Sequence, residues 1–362
     1  MNTNICCNVN RTNWPKNCLL KYITTPFCYP PVYHRHQNMW QVPEMAKIIG
    51  DFGYNVDVIN YDATIVSLTK QYDLLIDIFP QNNSVYQNHL KNNCIKVFYS
   101  TGASPTWQNS RQAERVEALN TRKHARMRTK CYVQPLPPTI AAFDALFLIG
   151  NSFTLSTFSD ISFTKVFFIR NSAYQFPDAD VSRKSANTFL YLATYPQVLK
   201  GLDLLLEVFS RSDDISLVVC SQFESEKDFC AVYEKELFHR PNILPVGVVD
   251  ITSPIFNKIA QICSYFVLPS CSEGISGSVL TAMSAGLIPI VSRECGLESD
   301  DAFILNDCSI PGIRNTLKLF ANKPLDWIKS QAVATQQTVR SKYTPQQFTA
   351  SFRAAMQGLL EE

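Results

Sequence analysis

Long apolar runs are missing from this 362-residue chain. None approaches the ~18 residues that a helix needs to cross a bilayer, so a membrane-spanning reading is excluded. Glycine, at 12, and proline, at 20, are too few for a collagen-like or low-complexity chain. The opening MNTNICCNVNRTNWPK lacks a basic head followed by an apolar stretch, and the expectation is therefore no secretory signal and a cytoplasmic chain. The twelve cysteines contain no CxxC spacing, and a core of this size needs no disulfide staples. Cys94, Cys220, Cys263 and Cys295 lie in or beside apolar stretches, where a free thiol behaves as a small hydrophobe, so core packing is preferred to metal or redox chemistry.

What is present is ordinary for a soluble protein. Apolar residues make up 46% and charged residues 18%, enough apolar material for a large core, with a length most naturally shared between two domains. The net charge of +2 conceals an asymmetry. Residues 1–180 carry 17 Lys and Arg against 12 Asp and Glu, and residues 181–362 carry 16 against 19. Much of the excess sits in RQAERVEALNTRKHARMRTK, residues 111–130. A charge run of this kind usually just faces water; the sharper reading is a surface for an anionic acceptor, for phosphates, or for peripheral contact with headgroups on the inner face of the membrane. Nucleic acid is not expected, because the stretch lacks interleaved aromatics and the chain as a whole is not basic.

Short apolar strands alternate with amphipathic helical segments. In the first half strands are expected at 19–23, 55–59, 74–79, 95–99, 146–149 and 166–169, with helices near 41–52, 84–91, 108–125 and 152–158. Residues 171–187, NSAYQFPDADVSRKSAN, are polar and aperiodic and read as a linker. The pattern then restarts, with strands at 189–192, 217–219, 243–249, 266–268 and 287–291 and helices between them. Strands separated by helices imply α/β architecture: two doubly wound parallel sheets, over 1–175 and 176–362, facing each other across a cleft. The stretch 325–360 is helical by pattern. Its last helix starts at Pro345, carries Phe348, Phe352, Met356 and Leu359 at helical spacing, and could pack back on the N-terminal domain.

Ligands of such sheets bind outside the carboxyl ends of the strands, and the richest segment there is PSCSEGISGSVLTAMSAGLIPIVSRECGLE, residues 269–298. It places a loop of small residues after a strand and before a helix. A helix start of that kind presents backbone N–H groups and a dipole that favours an anion by roughly 0.3–2 kcal/mol. The ligand portion expected here is a phosphate or pyrophosphate. Glu273 would be repelled by phosphate, so its carboxylate is read as an acceptor for sugar hydroxyls. Lys200, followed by Gly201, opens another strand-to-helix junction on the same rim and would add a cation for a diphosphate.

Together, Lys200-Gly201, Pro269-Ser270 leading into Glu273-Gly274, Ala282-Met283, Gly286 and Pro289-Ile290-Val291 resemble the donor-binding domain of GT-B glycosyltransferases, specifically retaining glycosyltransferase family four. The matching motifs span roughly 188–298. The resemblance implies a GT-B fold of two Rossmann-like domains, the N-terminal one for the acceptor and the C-terminal one for the donor. It also implies transfer of a glycosyl group, with retention, from a nucleotide diphosphate sugar to a carbohydrate or lipid-linked acceptor, in cell-surface polysaccharide or glycoconjugate synthesis. Lys200 and the N–H groups around Ser276, Gly277 and Ser278 would hold the diphosphate. Glu273 with the Gly274-Ile275 backbone would orient the sugar, Ser270 and Gly201 would shape the donor site, and Gly247-Val248 would line the base pocket. Two positions depart from the family pattern: the second glutamate falls on Thr281, the ribose candidate, and an arginine five residues before the motif lysine falls on Tyr195.

The first half offers weaker candidates for the acceptor or donor sugar: His34, Arg35, His36 and Asn38 in the loop after the first strand, Thr101, Gly102 and Ser104 after another, and Asn151 in a third rim turn. Two histidines without a third ligand do not make a metal site, and the scheme requires neither metal nor cofactor. Two alternatives stay open: a catalytically impaired nucleotide-sugar-binding or regulatory protein on the same fold, and a nucleotide-sugar epimerase.

Overall fold

The computed structural model describes residues 4–29 and 36–361. They form two compact units, each with one sheet. The first unit comprises 1–105, 134–172 and 345–362, and the second comprises 106–133 and 173–344. Residues 106–133 therefore cluster with the second unit although they precede the midpoint of the chain.

The first sheet contains β1 (Ile5–Cys6), β2 (Lys16–Tyr22), β3 (Tyr54–Asn60), β4 (Tyr72–Asp77), β5 (Leu90–Ser100), β6 (Ala145–Leu148) and β7 (Lys165–Phe168). Their order is β1-β3-β2-β4-β5-β6-β7. Only β1 runs antiparallel, on the edge beside β3. The second sheet contains β8 (Ser185–Ala193), β9 (Ser216–Ser221), β10 (Ile243–Pro245), β11 (Cys263–Leu268), β12 (Ile288–Ser292) and β13 (Phe303–Leu305). It is parallel throughout, in the order β10-β9-β8-β11-β12-β13, the doubly wound order of a dinucleotide-binding sheet. Central strands are legible as apolar runs because both faces are covered: all six residues of β11 are buried.

Boundaries differ from expectation where propensity is weak. The helix expected near 84–91 is a 3-10 turn, Gln87–His89, because Leu90 already pairs with Tyr72 and begins β5. The last two helices are Leu325–Lys342 and Pro345–Leu360. The second belongs to the first unit, where Phe348 lies 5.2 Å from Trp40 and Phe352 packs edge-on against Tyr99 and Phe147. Among the described residues no helix is long and apolar enough to cross a membrane.

The helix Leu202–Phe209 in the second unit is buried along its whole length, yet its sequence LDLLLEVF contains two carboxylates. Taking charges out of water costs several kcal/mol each unless they are paired. Residues 106–133 supply the pair. Arg122 donates to Asp203 Oδ2 at 2.8 Å and to Glu207 Oε1 at 3.0 Å, and Tyr233 also donates to Glu207, at 2.9 Å. Burial still pushes the Asp203 carboxyl above its ordinary range, against the pull of Arg115 and Arg122. Lys123 pairs with Glu236 over the Tyr233 ring, Lys130 pairs with Asp228, and Arg115 donates to the Pro269 carbonyl at 2.9 Å. Counted by unit, Lys and Arg stand at 11 against 10 Asp and Glu in the first and at 22 against 21 in the second. The opposite charges of the sequence halves thus disappear.

Lys184 precedes β8 and is buried, donating at 2.8 Å to the carbonyls of Ala260, Cys263 and Gly286. It satisfies carbonyls at the ends of the helices Pro254–Ile262 and Gly277–Ser284, where backbone acceptors otherwise go unmatched. Desolvation lowers its ammonium to about 8.

Arg122 and the buried Lys184 each carry a stability prediction. Arg122→Met strands two buried carboxylates and should cost about 3–5 kcal/mol in urea unfolding; a loss under 1 kcal/mol would contradict the clamp. Because Lys184 has a lower pKa folded than unfolded, the unfolded chain holds the extra proton between pH 8 and 10.5. The difference in stability between the native chain and Lys184→Met should therefore grow across that window in favour of the native chain, by up to about 3 kcal/mol. A difference flat in pH would refute it.

Candidate functional site

Strand order in the second sheet reverses between β8 and β11, so the turns after these two strands flank the crevice where doubly wound sheets take ligands. After β8 comes the short helix Gln197–Lys200, then Gly201, then Leu202–Phe209. After β11 comes the loop 269–276, then the helix Gly277–Ser284. The two turns touch. Cys271 N donates to the Leu199 carbonyl at 3.0 Å, and Ser270 Oγ reaches the same carbonyl at 3.3 Å. Gly201 is left-handed at φ +81°, and a Cβ there would stand 2.5 Å from the Pro269 carbonyl oxygen.

This contact brings the two principal candidates together: Lys200 Nζ forms an ion pair with Glu273 Oε1, both side chains mostly enclosed. The loop is held from behind as well. Ser292 Oγ donates to the Ser270 carbonyl at 2.5 Å, Ser276 N donates to the Cys295 carbonyl at 3.2 Å, and Gly274 backbone fills the space beside Gly296. The helix beyond starts without a side-chain cap; Ser276 Oγ instead meets Ser278 Oγ at 3.2 Å. Gly277 and Ser278 are half-buried at that start, and Ile275 is buried. Thr281 lies one turn in, its hydroxyl donating to the Gly277 carbonyl at 2.9 Å. Ser270 is fully buried and serves the scaffold. Gly247, at φ +83°, turns the chain just after β10, and Val248 beside it is 77% exposed.

The first-unit candidates are more scattered. His34 and Arg35 lie outside the described residues. His36 is exposed and accepts from Asn38 N at 3.3 Å, just before the helix Asn38–Asp51. Thr101 is exposed after β5, and the Gly102 carbonyl accepts from Ser100. Ser104 is buried and bonds Thr157 through both its hydroxyl and its N–H, and Asn151 caps the helix Ser152–Ser156 by accepting from Thr154 N. Both have the contacts of structural residues.

Three features escaped sequence reasoning. One is Arg115, at the Gly201–Pro269 contact. The second is the buried pair Lys21–Asp77 at 3.3 Å, where β2 and β4 end at the order reversal of the first sheet, with Tyr86 donating to Asp77 and Lys21 to the Asn82 carbonyl. The signal for it was present: a lysine and an aspartate inside apolar strand runs imply each other. The third is Asp178-Ala179-Asp180, an Asp-x-Asp spacing that could suggest a metal. Asp178 pairs with Arg340 and Asp180 accepts from Ser182. Among the described residues no three His, Cys, Asp or Glu are grouped to hold an ion. Burial pushes the thiols of Cys94, Cys220 and Cys263 up to about 12, in keeping with packing residues.

Two parallel-sheet α/β units, the second with its switch-point crevice, define the GT-B glycosyltransferase fold. Residues 186–312, within the second unit, match the family model "Glycosyl transferases group 1". Sucrose-phosphate synthase from Thermosynechococcus elongatus is similar with a TM-score of 0.63 and 12% identity, over 95% of this chain and 98% of that one. Alr3699/HepE of Anabaena, solved in complex with UDP and glucose, gives 0.59 and 11%, over 95% and 99%. TarM gives 0.53 and 12%, over 80% of this chain; the chain spans about half the length of TarM, 54%. At these identities the likeness is one of fold. Among curated protein sequences none matches.

The Gly201 contact is directly testable. Gly201→Ala should lose about 2 kcal/mol or more through backbone strain and overlap with Pro269. Gly53→Ala, at φ +87° with no atom near its would-be Cβ, bears only the strain. Equal losses in thermal or urea unfolding would show that the two turns are not in contact.

Proposed function

We propose that the chain is a glycosyltransferase that moves a hexosyl group from a nucleotide diphosphate sugar to an acceptor hydroxyl with retention of configuration. The observation that carries this reading is the Lys200–Glu273 pair at the switch point of the second sheet, beside the start of the helix Gly277–Ser284. A departing diphosphate accumulates negative charge, and fixed donors aimed at it favour the transition state over the bound substrate. Lys200 and the N–H groups at the start of the helix Gly277–Ser284 take that role, the Ser276 N–H being taken by the Cys295 carbonyl, and Gly201 and Gly274 keep bulk away from the phosphates. Glu273, already oriented by Lys200, accepts from sugar hydroxyls and steadies the cationic character that develops on the ring. Thr281 keeps a lone pair for a ribose hydroxyl, and Val248, exposed beside the buried Gly247, offers an apolar edge to the base. On this reading no metal or cofactor is required.

The acceptor is a carbohydrate or lipid-linked hydroxyl, held by first-unit residues among which His36, Asn38 and Thr101 have exposed or half-buried side chains. The product belongs to a cell-surface polysaccharide or glycoconjugate made from the cytoplasmic side. Peripheral contact with anionic headgroups through 111–130 rests on Arg126 and Arg128, which are exposed, whereas Arg122, Lys123 and Lys130 of that segment are paired within the second unit. A second reading, a binding or regulatory protein on this fold, is favoured by Tyr195 and by Thr281, whose hydroxyl cannot replace a carboxylate on ribose.

Titration calorimetry with a panel of nucleotide sugars tests the assignment. Lys200→Ala should weaken the best ligand about tenfold to a hundredfold, as expected for a lost charge-assisted bond. Unchanged affinity would remove Lys200 from the donor site. Donor turnover that is abolished in Glu273→Gln, with nucleotide binding retained, supports transfer; a native chain that binds donor without turnover under all acceptors supports the regulatory reading.

A further inference from the structure

Six of the twelve cysteines are buried in the core, whereas the half-buried Cys6 and Cys28 meet each other. Their Sγ atoms lie 3.5 Å apart, and both residues are half-buried. Cys6 closes the edge strand β1 opposite Val58 of β3. Cys28 closes the four-residue helix Thr25–Cys28 that follows β2, 22 positions along the chain. Among the described residues this is the one pair of cysteine sulfurs in mutual contact. Two thiols already at van der Waals distance need approach only to about 2 Å to bond. Cys7, the adjacent competitor, is exposed just beyond β1, and desolvation together with Asp57 raises its thiol above the ordinary value.

We propose that Cys6 and Cys28 form a reversible dithiol–disulfide site, driven by a low-molecular-weight disulfide such as oxidised glutathione. One thiol loses its proton and attacks the glutathione disulfide, giving a mixed disulfide and one glutathione thiol. The second protein thiol, also deprotonated, then attacks the protein-side sulfur and expels the second glutathione. Two protein thiols are oxidised, one glutathione disulfide is reduced to two thiols, and the protons balance. The bridge ties the end of the Thr25–Cys28 helix, on the carboxyl side of β2, to the edge strand. It therefore restrains the short helix that ends ten positions before the helix Asn38–Asp51 begins.

The test uses the full chain in native buffer over a series of oxidised-to-reduced glutathione ratios, followed by acid quench, alkylation and tryptic mapping. The expected result is one intramolecular bridge between peptides 1–11 and 22–35, and a fall in denatured thiol titre from twelve to ten. Dithiothreitol should restore the titre, and the bridged form should unfold at a higher temperature than the reduced one. Cys7→Ser should leave the bridge intact. Cys6→Ser and Cys28→Ser should each abolish it, leaving the remaining partner as a glutathione adduct. Glutathione adducts without a bridge in the native chain, or a bridge that persists in Cys6→Ser through Cys7, would overturn the assignment.

Discussion

Two strand-to-helix turns leave adjacent strands of the second sheet and compete for the space of one methyl group. Residue 201 stands where any side chain would strike the Pro269 carbonyl, in a backbone conformation that L side chains rarely adopt. Glycine lets the turns close, and closure lets the Leu199 carbonyl take two donors from the opposite loop. The rest of the candidate site inherits its geometry from that contact. Lys200 meets Glu273 because their backbones are locked a bond apart, and the loop presents the helix start at Gly277 because it is held at Ser270, Gly274 and Ser276.

Electrostatics in the second unit show how far charge counted along a sequence can mislead. A split at the midpoint gives a basic half and an acidic half, and suggests opposite partners for them. Three of the seven cations of 111–130, Arg122, Lys123 and Lys130, are instead consumed internally, by carboxylates on helices that lie some 80 to 115 positions later. The Arg122 clamp is the costliest part to disturb, because Asp203 and Glu207 sit on a helix with no solvent-facing side. Counted by compact unit, both are close to neutral, so attraction for an anionic ligand must come from local arrangement.

Much of the architecture was legible because parallel strands covered on both faces must be apolar; β9, β11, β12 and the second half of β8 announce themselves in this way. The donor-side loop was legible too, since small residues between a buried strand and a helix have few other uses. Short edge elements were not: β1 has two residues and β13 three, too few for any periodicity. The segment 84–91 misled because a brief polar stretch resembles a helix until the pairing of β5 is known. Lys184 and Arg122 escaped because nothing local distinguishes a lysine or arginine paired inside the fold from a solvated one. The acceptor candidates after the first-half strands suffered similarly, as Ser104 and Asn151 carry the same polar groups whether they cap backbone or wait for substrate.

The chain passes from one unit to the other four times, near residues 105, 133, 172 and 344. During synthesis the first sheet can collect its strands early, yet Phe348 and Phe352, which cover Trp40, Tyr99 and Phe147, follow only after the last residues of the second unit. A nascent first unit therefore exposes an aromatic face until residues 345–360 have emerged, while the second unit can already close around 106–133. Neither unit corresponds to a contiguous stretch that a simple truncation would release. A cell that stalls translation just before residue 345 would hold a polypeptide with one sheet complete and the other lacking its cover, a natural substrate for chaperones.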